Sequence, residues 1–265
     1  MSVSTPVSTP ASMFASTRAE LDRLRYELQL AWKTMLLAPL LMTAPILLLA
    51  LLQHVYLRQD ATRILLAGIE MLLPMAAGIM VATTVAHDTQ LELHLTLLRP
   101  YRTTSALRIV LLTLWVALLA WAGLSALMLG GQLALPTSAA GNMPFAQLAL
   151  AQLIWLAPLM WLVGLGACLG LLTRSRTASG ALLGGVWLLD VIFVGAIAQT
   201  PWLRPFLLFP STLVVYPLHR ATYHDFTMYW LTTRLDLLGM AAAFFTLSWL
   251  LLYGTERLLK GASEE

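Results

Sequence analysis

The stretch of sequence that decides the fold runs from Ile109 to Thr173 and reads IVLLTLWVALLAWAGLSALMLGGQLALPTSAAGNMPFAQLALAQLIWLAPLMWLVGLGACLGLLT. Its 65 residues contain no Asp, Glu, Lys or Arg. A helix that crosses the roughly 30 Å hydrocarbon core of a bilayer needs about 20 apolar residues. The stretch is therefore too long for one crossing and suits two. The turn-forming residues between Pro136 and Pro144 mark the break between them.

The composition of the whole chain indicates the same environment. Of its 265 residues 59% are hydrophobic and 11% are charged, and the mean hydropathy is +0.77. A soluble domain carries about 25% charged residues. The net charge of +3 does not indicate nucleic-acid binding. The single cysteine, Cys168, excludes an intramolecular disulfide and carries no information on the redox compartment. We therefore predict an all-α integral membrane protein.

The apolar runs divide the chain into a tail and one transmembrane domain. Residues 1–16 are rich in Ser, Thr, Pro and Ala, which predicts a disordered tail. Residues 17–260 form the single domain. Six spans are predicted in it, at 36–56, 64–86, 107–130, 146–172, 178–199 and 237–254. The segment 200–236 between the last two spans is apolar and aromatic, and we expect short external re-entrant helices there.

An amphipathic helix is predicted before the first span. Leu21, Leu24, Leu28 and Trp32 recur at spacings of three and four, and charged residues occupy the other side. The adjoining span favours a helix that lies in the headgroup region. The alternative is a solvated helix that packs on a partner.

The placement of basic residues predicts the orientation. Six spans put both termini on one side, and that side carries eleven of the 16 Lys and Arg residues. The other five are Arg58, Arg63, Arg204, Arg220 and Arg234. Because basic residues accumulate on the cytoplasmic side, both termini are predicted to be cytoplasmic in a multi-pass protein of the cell (inner or plasma) membrane.

The segment between the second and third spans carries the most specific pattern. After His87 come the acidic residues Asp88 and Glu92, a short amphipathic piece, and a turn with Pro100 and Arg102. This segment resembles the cytoplasmic coupling region of ABC-2 type transporter permeases, although the Pro-Tyr-Arg turn is one residue shorter than the pattern of that family. The order of elements across residues 17–260 is also similar to the plan of that family.

The resemblance implies the membrane-spanning subunit of an ATP-driven exporter. It would work as a homodimer, or as a heterodimer with a similar permease, together with a separate nucleotide-binding ATPase subunit. The two lysines, Lys33 and Lys260, lie in no P-loop pattern, so ATP and Mg²⁺ are expected on the partner ATPase, with no cofactor and no enzyme activity on this chain. The alternative is a membrane-embedded enzyme or an assembly factor without ATP coupling. A neighbouring gene for a Walker-motif ATPase would separate the two hypotheses.

Acidic residues within predicted spans are the remaining candidates. A central charge costs about 2.5 to 3.5 kcal/mol on insertion scales, so Asp190 and Glu70 are expected to face protein or water. They either line a translocation path or subunit interface, or bind polar groups of a neighbouring helix. His219 and His224 lack further ligands, so no metal site is expected. The pairs Gly166/Gly170 and Gly180/Gly184 indicate close helix packing, within one subunit or at a dimer interface.

Overall fold

A computed structural model describes residues 37–56, 61–86, 101–136 and 144–262, and every regular element in these ranges is helical. The first long helices are α1 (Ala38–Tyr56), α2 (Thr62–Ala86, with a π-helical turn at Gly68–Leu72) and α3 (Tyr101–Leu129). They are followed by α4 (Pro144–Ala151), α5 (Leu153–Thr173), α6 (Arg176–Ile192) and α7 (Val194–Gln199).

The remainder of the described chain contains short helices and one very long one. Single helical turns form at Arg204–Phe206, at α8 (Pro210–Leu213) and at Leu218–Arg220. The last helix, α9, covers 223–262 and includes a π-helical turn at Phe226–Leu231.

Five of the described helices are long and apolar enough to cross a membrane. They are Pro39–Tyr56, Thr62–Ala86, Thr103–Leu129, Phe145–Thr173 and Tyr223–Tyr253. The fourth of these segments covers α4 and α5 together. The span predicted at 178–199 is instead divided at Phe193 into α6 and α7. The 17 residues of α6 extend about 25 Å at 1.5 Å per residue, which is less than the hydrocarbon thickness.

Glycine contacts show that α2 and α5 run in the same direction. A Cβ at Gly166 would clash with the carbonyl oxygen of Gly78, and a Cβ at Gly170 would lie 2.6 Å from the carbonyl oxygen of Ala82. An advance of four residues along α5 therefore corresponds to an advance of four residues along α2. Only glycine permits this backbone approach, so the close packing predicted for the Gly166/Gly170 pair is confirmed within the chain. In contrast, nothing lies within 4 Å of a Cβ at Gly180.

The other helices alternate in direction around this pair. The α9 helix runs parallel to α5. Cys168 of α5 contacts Ser248 of α9 at 3.1 Å. Gly164, which precedes Cys168, packs on Ala241, which precedes Ser248. The α3 helix runs opposite to α2. The hydroxyl of Thr62 contacts the side chain of Gln132 at 3.3 Å, while Ile69 of α2 packs on Gly123, which precedes Gln132.

The direction of α6 is opposite to that of α5. The chain reverses at Arg174, which has φ 48°, and Ser175 caps α6 by accepting a bond from the N–H of Ala178 at 3.3 Å. Further along, α6 packs on α2. Leu183 lies against Gly78, and the next residue, Gly184, lies against Met75, which precedes Gly78. The basic residues Arg174 and Arg176 therefore lie at a tight turn between α5 and α6.

The last helix is longer than the span that the sequence predicts. The predicted span 237–254 lies within a helix that begins at Tyr223. Arg234, which the sequence places among the basic residues of the outer side, is completely buried and paired with Glu70.

Several predicted features involve residues beyond the described ranges. The tail 1–16 and the amphipathic residues Leu21, Leu24, Leu28 and Trp32 lie outside the described residues, as do Asp88, Glu92 and Pro100. Arg102 falls in the first turn of α3.

Candidate functional site

A buried ion pair joins α2 to α9. The carboxylate of Glu70 accepts a hydrogen bond from the guanidinium of Arg234, and both side chains are 0% exposed. Glu70 lies in the π-helical turn of α2, and Arg234 lies in the first turn of the regular part of α9. Burial of such a pair carries a desolvation cost for each ion, so it persists only with good geometry and further hydrogen bonds.

Glu70 obtains those further bonds from α8. Its Oε1 accepts from the backbone N–H of Ser211 at 3.0 Å, and its Oε2 accepts from the N–H of Thr212 at 2.8 Å. The hydroxyl of Thr212 also donates to Oε2. These N–H groups belong to the first turn of a short helix, where no intrahelical acceptor is available. Both carboxylate oxygens of Glu70 are therefore occupied, each by two donors.

Arg234 binds the same segment from the other side. It donates from Nη1 to the carbonyl oxygen of Leu208 and from Nη2 to the hydroxyl of Ser211, each at 2.9 Å. The indole N–H of Trp230, one turn earlier in α9, donates to the same hydroxyl at 2.8 Å. The guanidinium carbon lies 5.9 Å from the centre of the Trp230 ring.

Asp190 contributes a third helix to this cluster. Its side chain is buried, and Oδ1 accepts from the backbone N–H of Leu208 at 3.3 Å. Asp190 of α6 thus binds the N–H group of Leu208, and Arg234 of α9 binds its carbonyl oxygen. Asp190 Oδ2 and Arg234 Nε have no hydrogen-bond partner within the described ranges. We call Glu70, Asp190 and Arg234, with the segment 207–213 that they hold, the buried clamp.

The buried clamp binds backbone rather than a reacting group. Leu207, Leu208 and Phe209 are at most 1% exposed, and Ser211 is 0% exposed. The charged side chains fix four backbone groups, which are the N–H groups of Leu208, Ser211 and Thr212 and the carbonyl of Leu208. The chemistry of the site is therefore the fixation of an irregular segment between α2, α6 and α9.

The sequence identified two members of the buried clamp and missed the third. Glu70 and Asp190 were expected to face protein or water, and the structure places both beside one buried segment. Glu70 is completely buried. Arg234 was missed, although it lies in a run whose flanks, Met228 to Leu231 and Leu237 to Met240, are apolar.

These observations define a class of protein. The described chain is all-helical, and its five long apolar helices indicate a membrane protein. Comparisons with models of protein families, with curated proteins and with solved structures gave no match to this chain.

Proposed function

We propose that this chain is the membrane-spanning subunit of an ATP-driven exporter of the ABC-2 type. It pairs with a second permease subunit, identical or similar, and with a separate ATPase. The observation that carries the proposal is the order of its elements. Long helical segments alternate in direction, and short helices that fold back into the protein stand between α6 and the last long helix. This is the order that the resemblance of the sequence to ABC-2 permeases implies.

The sixth crossing in this proposal is α6. Its direction is opposite to those of α5 and α9, as a crossing between them requires. Its 17 residues suffice if α7 or a local thinning of the bilayer completes the path. With α6 counted, both ends of the described chain lie at the end of the bundle where α5 meets α6. The basic residues of the sequence place that end in the cytoplasm.

The buried clamp supports a re-entrant segment at 207–213. Irregular backbone at membrane depth persists only where protein surrounds it, because lipid offers no hydrogen-bond partner. The side chains of Glu70, Asp190 and Arg234 supply those partners. This requirement explains why three costly charges lie among apolar helices.

The energy for transport comes from the partner in this proposal. The end of α2 and the start of α3 lie at the same end of the bundle as the turn between α5 and α6. We assign Asp88, Glu92 and Pro100, from the sequence between these two helices, and Arg102, at the start of α3, to contact with the ATPase. ATP and Mg²⁺ bind to that partner, and its closure moves this connection and the amphipathic helix before α1. The permease pair then opens a path.

Reversal of the two acidic charges tests this assignment. Asp88→Lys/Glu92→Lys should insert normally but lose ATP-dependent transport, or fail to co-purify with the ATPase encoded beside it. The matched control is Glu264→Lys/Glu265→Lys, which makes the same charge change near the end of the chain and should retain both properties. Normal co-purification and transport by the first variant would refute the coupling role. If no ATPase accompanies the wild-type chain, the alternative of an assembly factor or membrane enzyme is favoured.

A further inference from the structure

A small polar pocket lies beside the buried clamp, between α8 and the start of α9. It has a volume of about 260 Å³ and is lined by eight residues between Val214 and Tyr229, among them Tyr216, Arg220 and Asp225. Pockets for drug-sized ligands measure about 300 to 1,000 Å³, so this one suits a small polar group.

Two opposite charges face this pocket without pairing with each other. Among the residues that the structure describes, no ion pair joins Arg220 to Asp225. The Arg220 side chain is exposed. Asp225 accepts a bond from the hydroxyl of Thr222 through Oδ2, at 2.6 Å. Its Oδ1 has no assigned donor, so the pocket offers both a cation and a carboxylate oxygen to a ligand.

Two further arginines make the surroundings of the pocket positive. The guanidinium of Arg63 lies 5.3 Å from the centre of the Tyr216 ring, and that of Arg204 lies 4.9 Å from the centre of the Tyr229 ring. Both are fixed by backbone carbonyls, since Arg63 donates to Thr212 at 3.3 Å and Arg204 donates to Ala198 at 2.9 Å. Three cations and one carboxylate favour a ligand whose strongest charge is negative.

The pocket lies at the end of the bundle where two candidate spans begin. These spans are Thr62–Ala86 and Tyr223–Tyr253, and both aromatic walls of the pocket are tyrosines. Tyrosine favours the depth of the lipid headgroups, where phosphate groups are abundant.

We propose that this pocket binds a phosphoethanolamine group, with its phosphate at Arg220 and its ammonium at Asp225. A guanidinium forms charge-assisted hydrogen bonds with phosphate oxygens, and a carboxylate does so with a primary ammonium. The group belongs either to a membrane lipid or to a free small molecule. The inference does not depend on the proposed transport function, because it uses only the residues around the pocket.

The test measures lipid binding to the full chain in detergent by native mass spectrometry. Arg220→Gln should weaken both phosphatidylethanolamine and phosphatidylglycerol about tenfold, because both present a phosphate. Asp225→Asn should weaken phosphatidylethanolamine but not phosphatidylglycerol with the same acyl chains, so the ratio of the two affinities should fall about tenfold, because only the former has an ammonium. Arg220→Lys should retain most of the binding, which separates loss of charge from loss of fold.

The control and the competitors make the test decisive. Arg174→Gln removes a cation at the opposite end of the bundle and should leave the binding of both lipids unchanged. Equal lipid binding by wild type and Asp225→Asn, or displacement of the lipid by inorganic phosphate as readily as by phosphoethanolamine, would overturn the proposal. If free phosphoethanolamine binds as tightly as the lipid, the ligand is a soluble molecule. If it binds far more weakly, the ligand is the lipid.

Discussion

Neutralisation of Glu70 is the sharpest perturbation of the buried clamp. Glu70→Gln conserves size but leaves Arg234, which is 0% exposed, without its counter-ion. Loss of one partner of a buried ion pair costs about 3 to 5 kcal/mol. The amide is also a poor replacement, because each carboxylate oxygen accepts from two donors. In either amide orientation, two donors would face an NH₂ group.

The expected loss of stability follows from this geometry. An orphaned buried donor adds about 1 to 3 kcal/mol, so the total for Glu70→Gln is at least about 4 kcal/mol. For a chain of this length that loss lowers the midpoint of thermal unfolding by roughly 8 to 16 °C. The midpoint can be followed by tryptophan fluorescence of the protein in detergent. Asp236→Asn is the matched control, since Asp236 is an exposed acid two residues from Arg234. It should change stability by less than about 0.5 kcal/mol.

A double-mutant cycle separates the ion pair from general damage. Arg234→Met should cost less than Glu70→Gln, because Glu70 keeps the N–H groups of Ser211 and Thr212. The double variant Glu70→Gln/Arg234→Met should be more stable than the sum of the single losses by about 2 to 3 kcal/mol. Additive losses, or a Glu70→Gln protein within about 1 kcal/mol of wild type, would refute the role of the pair.

Three further predictions follow from the described contacts. Gly166→Ala should lower the midpoint of thermal unfolding strongly, because the new Cβ would clash with the backbone of α2. Gly180→Ala, where the space around the Cβ is open, should leave the midpoint unchanged or raise it. Similar effects of the two substitutions would contradict the packing. Ser211→Ala removes the acceptor of two bonds and should cost about 1 to 2 kcal/mol in the same assay, so an unchanged midpoint would count against those bonds. Single cysteines at Trp202 and Ser263, in a chain without the native cysteine, should be labelled from outside and inside the cell respectively; labelling of both from one side would refute the topology.

The positions of most helices could be predicted from the sequence because lipid imposes a simple length rule. The first two were predicted at 36–56 and 64–86, and the structure has Ala38–Tyr56 and Thr62–Ala86. An uninterrupted apolar run of about 20 residues has few alternatives to a helix in a bilayer. The break at Phe193 could not be predicted, because the residues 178–199 are equally apolar on both sides of it.

The buried clamp could be predicted only in part. A lone carboxylate in an apolar run indicates a buried partner, so Glu70 and Asp190 were recognisable. The identity of the partner depends on how helices pack, and Arg234 is 164 residues from Glu70. The sequence places Arg234 near the end of the external segment 200–236. A charged residue that has apolar runs on both sides of it in the sequence is the signal that indicates burial.

The mass of the complex purified in mild detergent tests the central claim most directly. The chain should be co-expressed with the ATPase encoded beside it and purified through a tag on the chain alone. The proposed function predicts a complex of two permease subunits and two ATPase subunits, with the two-fold symmetry that is commonest for like subunits. A monodisperse monomer that carries no ATPase would contradict the account.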